Sequence, residues 1–365
     1  MGQVSPEEFN RAGNMDELLG LLGRAGIENG WAKREPSMYA VPKQRFVPAH
    51  WQYAQARAAL EAAGRFVNTE LAERRNLILN NPVEGNHYPT VTTLVTAYQM
   101  VKGGEKARSH RHTANAMRFV LEGGPDMYTI VDGKKIPMMP NDVLLTPNWS
   151  WHGHWSDART SSYWIDFLDV PLTHLVGPMF FDHHEEMIEK TDIVDPASPA
   201  RFAFTQTVER LATAPEIAPG CRRIELGAPA MKTIAIHVTR LDAGASFSEE
   251  PSTLSRVFAV MQGEATFHFE DGSTQTARQF EGVMLPKGVF YRFEAGEEQN
   301  LVLMRIGAAQ RKTTGLDKLA RHGSPTEITS QTIDHDGSKK DASNPKTGTP
   351  SQKIIEIPGR FFPEG

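Results

Sequence analysis

The sequence contains a single cysteine, Cys221, in 365 residues. An internal disulfide framework is therefore excluded, and the composition fits a reducing, cytoplasmic setting. Nothing around Cys221 marks it as a nucleophile, so a buried, inert thiol is expected. No apolar run reaches the roughly 20 residues that a membrane-spanning helix needs. The opening Met1-Gly2-Gln3-Val4-Ser5-Pro6 lacks a signal-peptide core, and Pro6 stands where a myristoylation motif needs Ser or Thr. The net charge is −5 with no long basic run, so neither nucleic acid nor an acidic membrane surface is an expected partner. The second half has no tryptophan: Trp31, Trp51, Trp149, Trp151, Trp155 and Trp164 all precede it.

The chain is organised around the stretch from Ser109 to His154. It opens on His110-Arg111-His112 and closes on Trp151-His152-Gly153-His154. Two histidines one residue apart on a strand share a face, because side chains alternate along it. A third histidine on a later antiparallel strand can complete a cap on one metal ion. The spacing around them is specific. Gly104 is followed by five residues, His110-x-His112 and then Gly123; Asp142 leads through apolar residues to Pro147, with His152 five positions on. This arrangement resembles a metal-binding cupin barrel.

Many metal cupins carry a glutamate ligand seven residues before the glycine that ends the first motif. Here that position is Ala116. The cap is then three neutral imidazoles, His110, His112 and His152. Such a cap leaves three coordination positions open and does not offset the metal charge. It suits an aromatic ortho-hydroxy acid, whose carboxylate and phenolate fill two positions while O2 takes the third. Arg118 lies six residues after His112, so on an unbroken strand it faces the same interior. Its fork matches a carboxylate. The competing reading is an internal salt bridge with Asp166 or Asp169.

The second half repeats the first. Gly104, His110, His112 and Gly123 recur as Gly244, Glu250, Ser252 and Gly263, and Pro147 and His152 recur as Pro286 and Tyr291. The spacing persists without the ligands, so one metal per chain is expected, in the first barrel. His268, before the Asp271-Gly272 turn, reads as structural.

The expected fold is dominated by β structure: a bicupin of two tandem double-stranded β-helix (jelly-roll) barrels. Its parts are an N-terminal helical segment over 1–91, the metal barrel over 92–170, a connecting segment over 171–225, a degenerate barrel over 226–307 and a flexible polar tail over 308–365. Helices are expected at Asp16–Leu22, with Asn14 as N-cap, and at Trp51–Ala63. Strands should begin near Thr92. Asp182-His183-His184-Glu185-Glu186 reads as a solvated helix face. In the tail, Asp334-His335-Asp336-Gly337 is a faint calcium-loop pattern without the later glutamate. Ile354-Ile355 and Phe361-Phe362 are apolar enough to dock on this subunit or a neighbour.

At these residues the chain resembles the gentisate 1,2-dioxygenase family, with its salicylate, nitrosalicylate and 1-hydroxy-2-naphthoate relatives. The matching pieces are Glu73-Arg74-Arg75, Ala97-Tyr98-Gln99, His110-Arg111-His112-Thr113, Arg118-Phe119, Thr146-Pro147, Trp151-His152-Gly153-His154 and Trp164 to Leu172. The resemblance implies one Fe(II) per chain on His110, His112 and His152, and a homotetramer. It implies ring opening by O2 between the carboxylated and hydroxylated carbons. It makes Arg118 a clamp on the substrate carboxylate, and Arg74 or Arg75 a pocket arginine. It makes His154 an acid/base beside the ligands, with Gln99 and Asp166 as polar supports. Where gentisate enzymes have His-Asp-His-Gly-Asn, this chain has His152-Gly153-His154-Trp155-Ser156, a form closer to salicylate-type members. A substituted salicylate such as 5-nitrosalicylate is therefore the expected substrate, with gentisate or 1-hydroxy-2-naphthoate as alternatives. A non-catalytic bicupin that binds an aromatic acid and an O2-independent isomerase are the competing classes.

Overall fold

Alternating apolar segments separated by glycine and proline turns give strands in two successive sets. The computed structural model describes residues 4–31, 46–68, 74–227, 231–249, 252 and 254–309. The tail features, Glu73 and Glu250 lie outside the described residues. Helices α1 (Pro6–Asn10), α2 (Met15–Ala25) and α3 (Tyr53–Phe66) alternate with β1 (Ala49–Trp51) and precede β2 (Arg75–Ile78). Asn14 caps α2, its side chain accepting from Glu17 N at 2.9 Å.

The first barrel is built from β3 (Val95–Val101), β4 (Lys106–His112), β5 (Ala116–Glu122), β6 (Gly124–Val131), β7 (Lys134–Met138), β8 (Val143–Thr146), β9 (His152–Ser156) and β10 (Ser162–Leu168). Then come α4 (Val170–Val176), β11 (Phe181–His183), β12 (Arg201–Phe202), α5 (Phe204–Thr213), β13 (Glu216–Ala218) and β14 (Cys221–Leu226). The second barrel is β15 (Ile234–Leu241), β16 (Ser246–Glu249), β17 (Arg256–Gln262), β18 (Glu264–Phe269), β19 (Thr274–Arg278), β20 (Gly282–Leu285), β21 (Tyr291–Ala295) and β22 (Leu301–Ala308). Each strand start of the first set recurs 139 or 140 residues later.

Each barrel closes from two antiparallel sheets. In the first they run β12-β8-β5-β10-β3-β2 and β11-β4-β9-β6-β7; in the second, β1-β20-β17-β22-β15-β14-β13 and β16-β21-β18-β19. The N-terminal segment is thus not only helical. Its β1 edges the second barrel, Ala49 opposite Met284, while β2 edges the first. The connecting segment likewise supplies edge strands as well as α4 and α5. Within it, Phe181–His183 pairs with β4 rather than forming a helix face. A charged run can be a strand when one edge pairs and the other faces water.

Strands β3, β5 and β10 are buried on both faces. One face carries Tyr98, Met117, Phe119, Ile165 and Phe167. These pack with Ile236, Val238 and Met304 of the second barrel in the largest apolar cluster. Tyr98 Oη also donates to Phe280 O at 2.8 Å. The other face, with Val120 and Trp164, lines the first barrel. The glycine that ends the first motif has a steric reason: a Cβ at Gly123 would stand 2.0 Å from Met138 O. Cys221 is fully buried, and burial pushes its thiol up to about 11, consistent with an inert role.

Phe119 is fully buried between the barrels and lies 6.2 Å from the Phe280 ring. Phe119→Ala should cost about 3–5 kcal/mol of unfolding free energy. Urea denaturation monitored by tryptophan fluorescence reads this loss; a cost below about 1 kcal/mol would mean that the inter-barrel layer does not hold the fold.

Candidate metal centre

His110 and His112 project from β4, and His152 faces His110 across the β4–β9 pair. Alternation puts all three inside the first barrel, where each is buried. Their ligating atoms lie within 4.8 Å of one another, and among the described residues no other group of three His, Cys, Asp or Glu side chains is so placed. Each ring is oriented by a backbone carbonyl two residues away. His110 Nδ1 lies 3.2 Å from Arg108 O, His112 Nδ1 2.8 Å from Ala114 O, and His152 Nδ1 3.0 Å from Ser150 O. These contacts put the proton on Nδ1 and the lone pair on Nε2, the tautomer a metal ligand needs.

Burial, above all, keeps the three imidazoles neutral. It lowers His110 far below the ordinary range, aided by the charges of Arg74 and of a protonated His112. It lowers His112 against the contrary pull of its bond to Ala114 O, and lowers His152 with help from the other two histidines. Three neutral, pre-aimed nitrogens without a carboxylate therefore fit a divalent metal. Phe181 stacks on His110 at 5.1 Å. Trp149 holds φ at 66° while its N–H donates to His112 O at 2.8 Å, fixing the loop behind that ligand.

Arg118 does face the interior, but its fork is engaged. Nε and Nη2 each donate to Asp166 at 2.9 Å, and Nη1 donates to Thr129 Oγ1. Nη1 also lies 2.9 Å from His154 Nδ1, and the guanidinium sits 4.5 Å from the Trp164 ring centre. The expected clamp on a substrate carboxylate is thus an internal ion pair. A buried guanidinium next to a carboxylate already inside the barrel pairs before any ligand arrives. Asp169 is committed elsewhere: it accepts from Asn115 N at 2.7 Å and from Asn115 Nδ2 at 3.1 Å. His154 is fully buried and held well below its ordinary range by burial, then by the Arg118 charge.

The two candidate pocket arginines separate. Arg74 donates to Gln99, and its charge is felt at His110, His112, His152 and His154. Arg75 points the other way, onto Glu105 and Val67 O. It ties down the edge strand and takes no part in the site. Gly153 also faces away. A Cβ there would meet Ser109 Oγ at 2.7 Å on the outside of the sheet, so an aspartate at this position would not point at a substrate.

The tryptophans near the third ligand are neither core nor ligand platform. Arg111 lies 4.4 Å from both the Trp149 and Trp151 rings, and Lys106 lies 3.4 Å from Trp155. Only Trp164 lies fully within. Thr129, Asn115 and Phe181 went unrecognised in the sequence. Strand parity could have placed Thr129 inside, since it pairs with His154.

In the folded chain His110, His112, His152 and His154 stay neutral below their ordinary pKa of 6.5. The unfolded chain takes up protons there as pH falls, whereas the folded chain does not. Stability of the metal-free protein should therefore be complete above about pH 6.5 and decline as the pH drops below it. Urea midpoints measured from about pH 7.5 down to about 5 check this, with a flatter slope for His110→Asn; a midpoint unchanged by pH would contradict the assignment.

A cupin-domain family model matches residues 97–168. The 1-hydroxy-2-naphthoate 1,2-dioxygenase of Nocardioides sp. (strain KP7) is 28% identical over 312 residues, 76% of this chain and 80% of that protein. A gentisate 1,2-dioxygenase of Ralstonia sp is 40% identical over 135 residues, 37% of this chain and 38% of that enzyme's length. Among solved structures, the salicylate 1,2-dioxygenase of Pseudoaminobacter salicylatoxidans with gentisate superposes with a TM-score of 0.72 at 25% identity. That match covers 84% of this chain and 91% of that one. With the duplicated barrel and the buried histidine triad already in place, the chain carries a cupin domain over residues 97–168 and is similar to the ring-cleaving 1,2-dioxygenases of gentisate, salicylate and 1-hydroxy-2-naphthoate.

Proposed function

We propose that the protein is an Fe(II)-dependent dioxygenase that uses O2 to open the ring of a substituted salicylate, such as 5-nitrosalicylate, between the carboxylated and hydroxylated carbons. One observation carries this reading: a buried cap of three neutral imidazoles with no carboxylate among them. Iron held there would keep its +2 charge and supply the Lewis acidity and redox chemistry that O2 activation needs.

The chain's own residues bind and orient. The three backbone carbonyls aim the ligands. Arg74, steadied by Gln99, is the cation best placed by its field to take the substrate carboxylate. Arg118 and Asp166 hold His154. Arg118 lies along both ring nitrogens of His154, Nη1 2.9 Å from Nδ1 and Nη2 3.3 Å from Nε2, so it fixes the imidazole in place beside the ligands. Van der Waals closure by Trp164 and the barrel core excludes water from this face.

A chelating ortho-hydroxy carboxylate is common to salicylates, gentisate and 1-hydroxy-2-naphthoate. A hydroxynaphthoate is the second reading, favoured by the relative whose match spans most of both chains. A cytoplasmic homotetramer belongs to the same proposal. It is supported by the lone buried thiol and by the exposed Leu175, Val176 and Phe180. No described helix is long and apolar enough to cross a membrane.

O2-uptake kinetics on iron-loaded protein with salicylate, 5-nitrosalicylate, gentisate and 1-hydroxy-2-naphthoate test the substrate. The salicylates should show the highest kcat/KM. A tenfold advantage for gentisate, about 1.4 kcal/mol, would overturn that choice, and no O2 uptake with any of them would overturn the activity. Arg74→Ala should lower kcat/KM by about 2–5 kcal/mol of transition-state binding while iron content is unchanged.

A further inference from the structure

The second barrel keeps a cavity at the mouth where the first has its histidines. Its volume is about 300 Å3, at the small end of ligand-sized sites, and its lining includes His237, Ser252, Ser255, Arg256 and Arg305. The exposed Glu225 lines it as well. Tyr291 stands at the position of His152 and pairs with Glu249 as His152 pairs with His110, so Glu249, one residue before the Glu250 expected from sequence spacing, holds the place of the first ligand. The buried pair of the first barrel is also replaced. Where Asp166 faces Arg118, the second barrel sets Arg305 opposite Phe258.

The result is a half-buried cationic cluster around a buried carboxylate. Glu249 receives Arg223 on one oxygen, and Arg256, Arg305 and Tyr291 on the other, with Arg305 Nη1 at 2.7 Å and Tyr291 Oη at 2.9 Å. Against the cost of burial, Arg305, Arg223 and Arg256 hold the Glu249 carboxyl below its usual range. Among the described residues three guanidinium groups share one carboxylate, an imbalance that a partly desolvated site does not favour without an anion. His237 adds no charge, because burial and then Arg305 and Arg223 push it down to about 4.

The arginine edges point to the ligand class. All hydrogen bonds of Arg256 and Arg305 among the described residues use Nη1. Among these residues the Nε–Nη2 edge of each is therefore uncommitted. In the first barrel that same edge of Arg118 takes the two oxygens of Asp166. Two such edges on one cavity match two oxyanion faces.

We propose that the mouth of the second barrel binds a small dianionic oxyanion, a dicarboxylate or a phosphate, between Arg256 and Arg305. Neither ligand class is the proposed substrate, so the site would be regulatory or stabilising. The test uses iron-loaded, full-length protein titrated calorimetrically with maleate and, separately, with inorganic phosphate, followed by hydrogen exchange at saturation. The expected result is saturable binding of at least one of the two, with protection gained in Ile234–Leu241 and Leu301–Ala308. The tighter arm identifies the ligand source. Arg256→Gln should weaken that binding at least about tenfold. No saturable binding in either arm, or protection confined to the first barrel, would overturn the site. Should Arg256→Gln fail to fold, the exchange pattern of the unaltered protein decides alone.

Discussion

Strands β3, β5 and β10 have no wet face, and the rest of the molecule follows from that constraint. One side is pressed against the second barrel through Tyr98, Phe119, Ile165 and their neighbours. The other side lines the first barrel and carries Gln99, Arg118 and Asp166, all buried. Polar groups placed there cannot rely on water, so they must satisfy one another. The two-bond pairing of Arg118 with Asp166, extended to Thr129 and His154, is the outcome. The ligands sit on the opposite sheet, where the same dryness keeps their imidazoles neutral. The inter-barrel layer and the metal centre are therefore two faces of one sheet arrangement.

The two barrels show what one scaffold does with different side chains. In the first, neutral imidazoles gather where a metal would bring the positive charge. In the second, Arg223, Arg256 and Arg305 bring that charge themselves and enclose Glu249. The strand offsets are preserved almost to the residue, because the sheets must still close and pack. Glycines at motif ends persist for the same reason: a Cβ at Gly263 would stand 2.8 Å from Asn300 O, as one at Gly123 would strike Met138 O. Closure constrains the turns, while the mouth residues are free to change chemistry.

Much of this was legible in the sequence. The duplication follows from repeated spacing and the shared face of His110 and His112 from strand parity, while the third ligand and the missing carboxylate at Ala116 were legible through the resemblance to cupin motifs. Parity also put Arg118 inside. It could not choose the guanidinium's partner, because Asp166 lies 48 residues away on a strand whose register only the fold sets. Gly153 marks the salicylate-type form of the motif, yet alternation with His152 and His154 places it on the outer face. The Asp182 run was read by composition, whereas β4 supplied an edge for it to pair with. The three arginines around Glu249 come from β14, β17 and β22 and converge only through closure of the second barrel. Local pattern thus gave the elements and the ligands, and long-range register decided which charges meet.

The account rests on one metal centre, built by His110, His112 and His152 in the first barrel. Elemental analysis of purified protein and of His152→Ala tests it most directly. The account predicts one tightly held metal per chain, lost in the variant. Two tightly held metals per chain, or full metal content in His152→Ala, would contradict it.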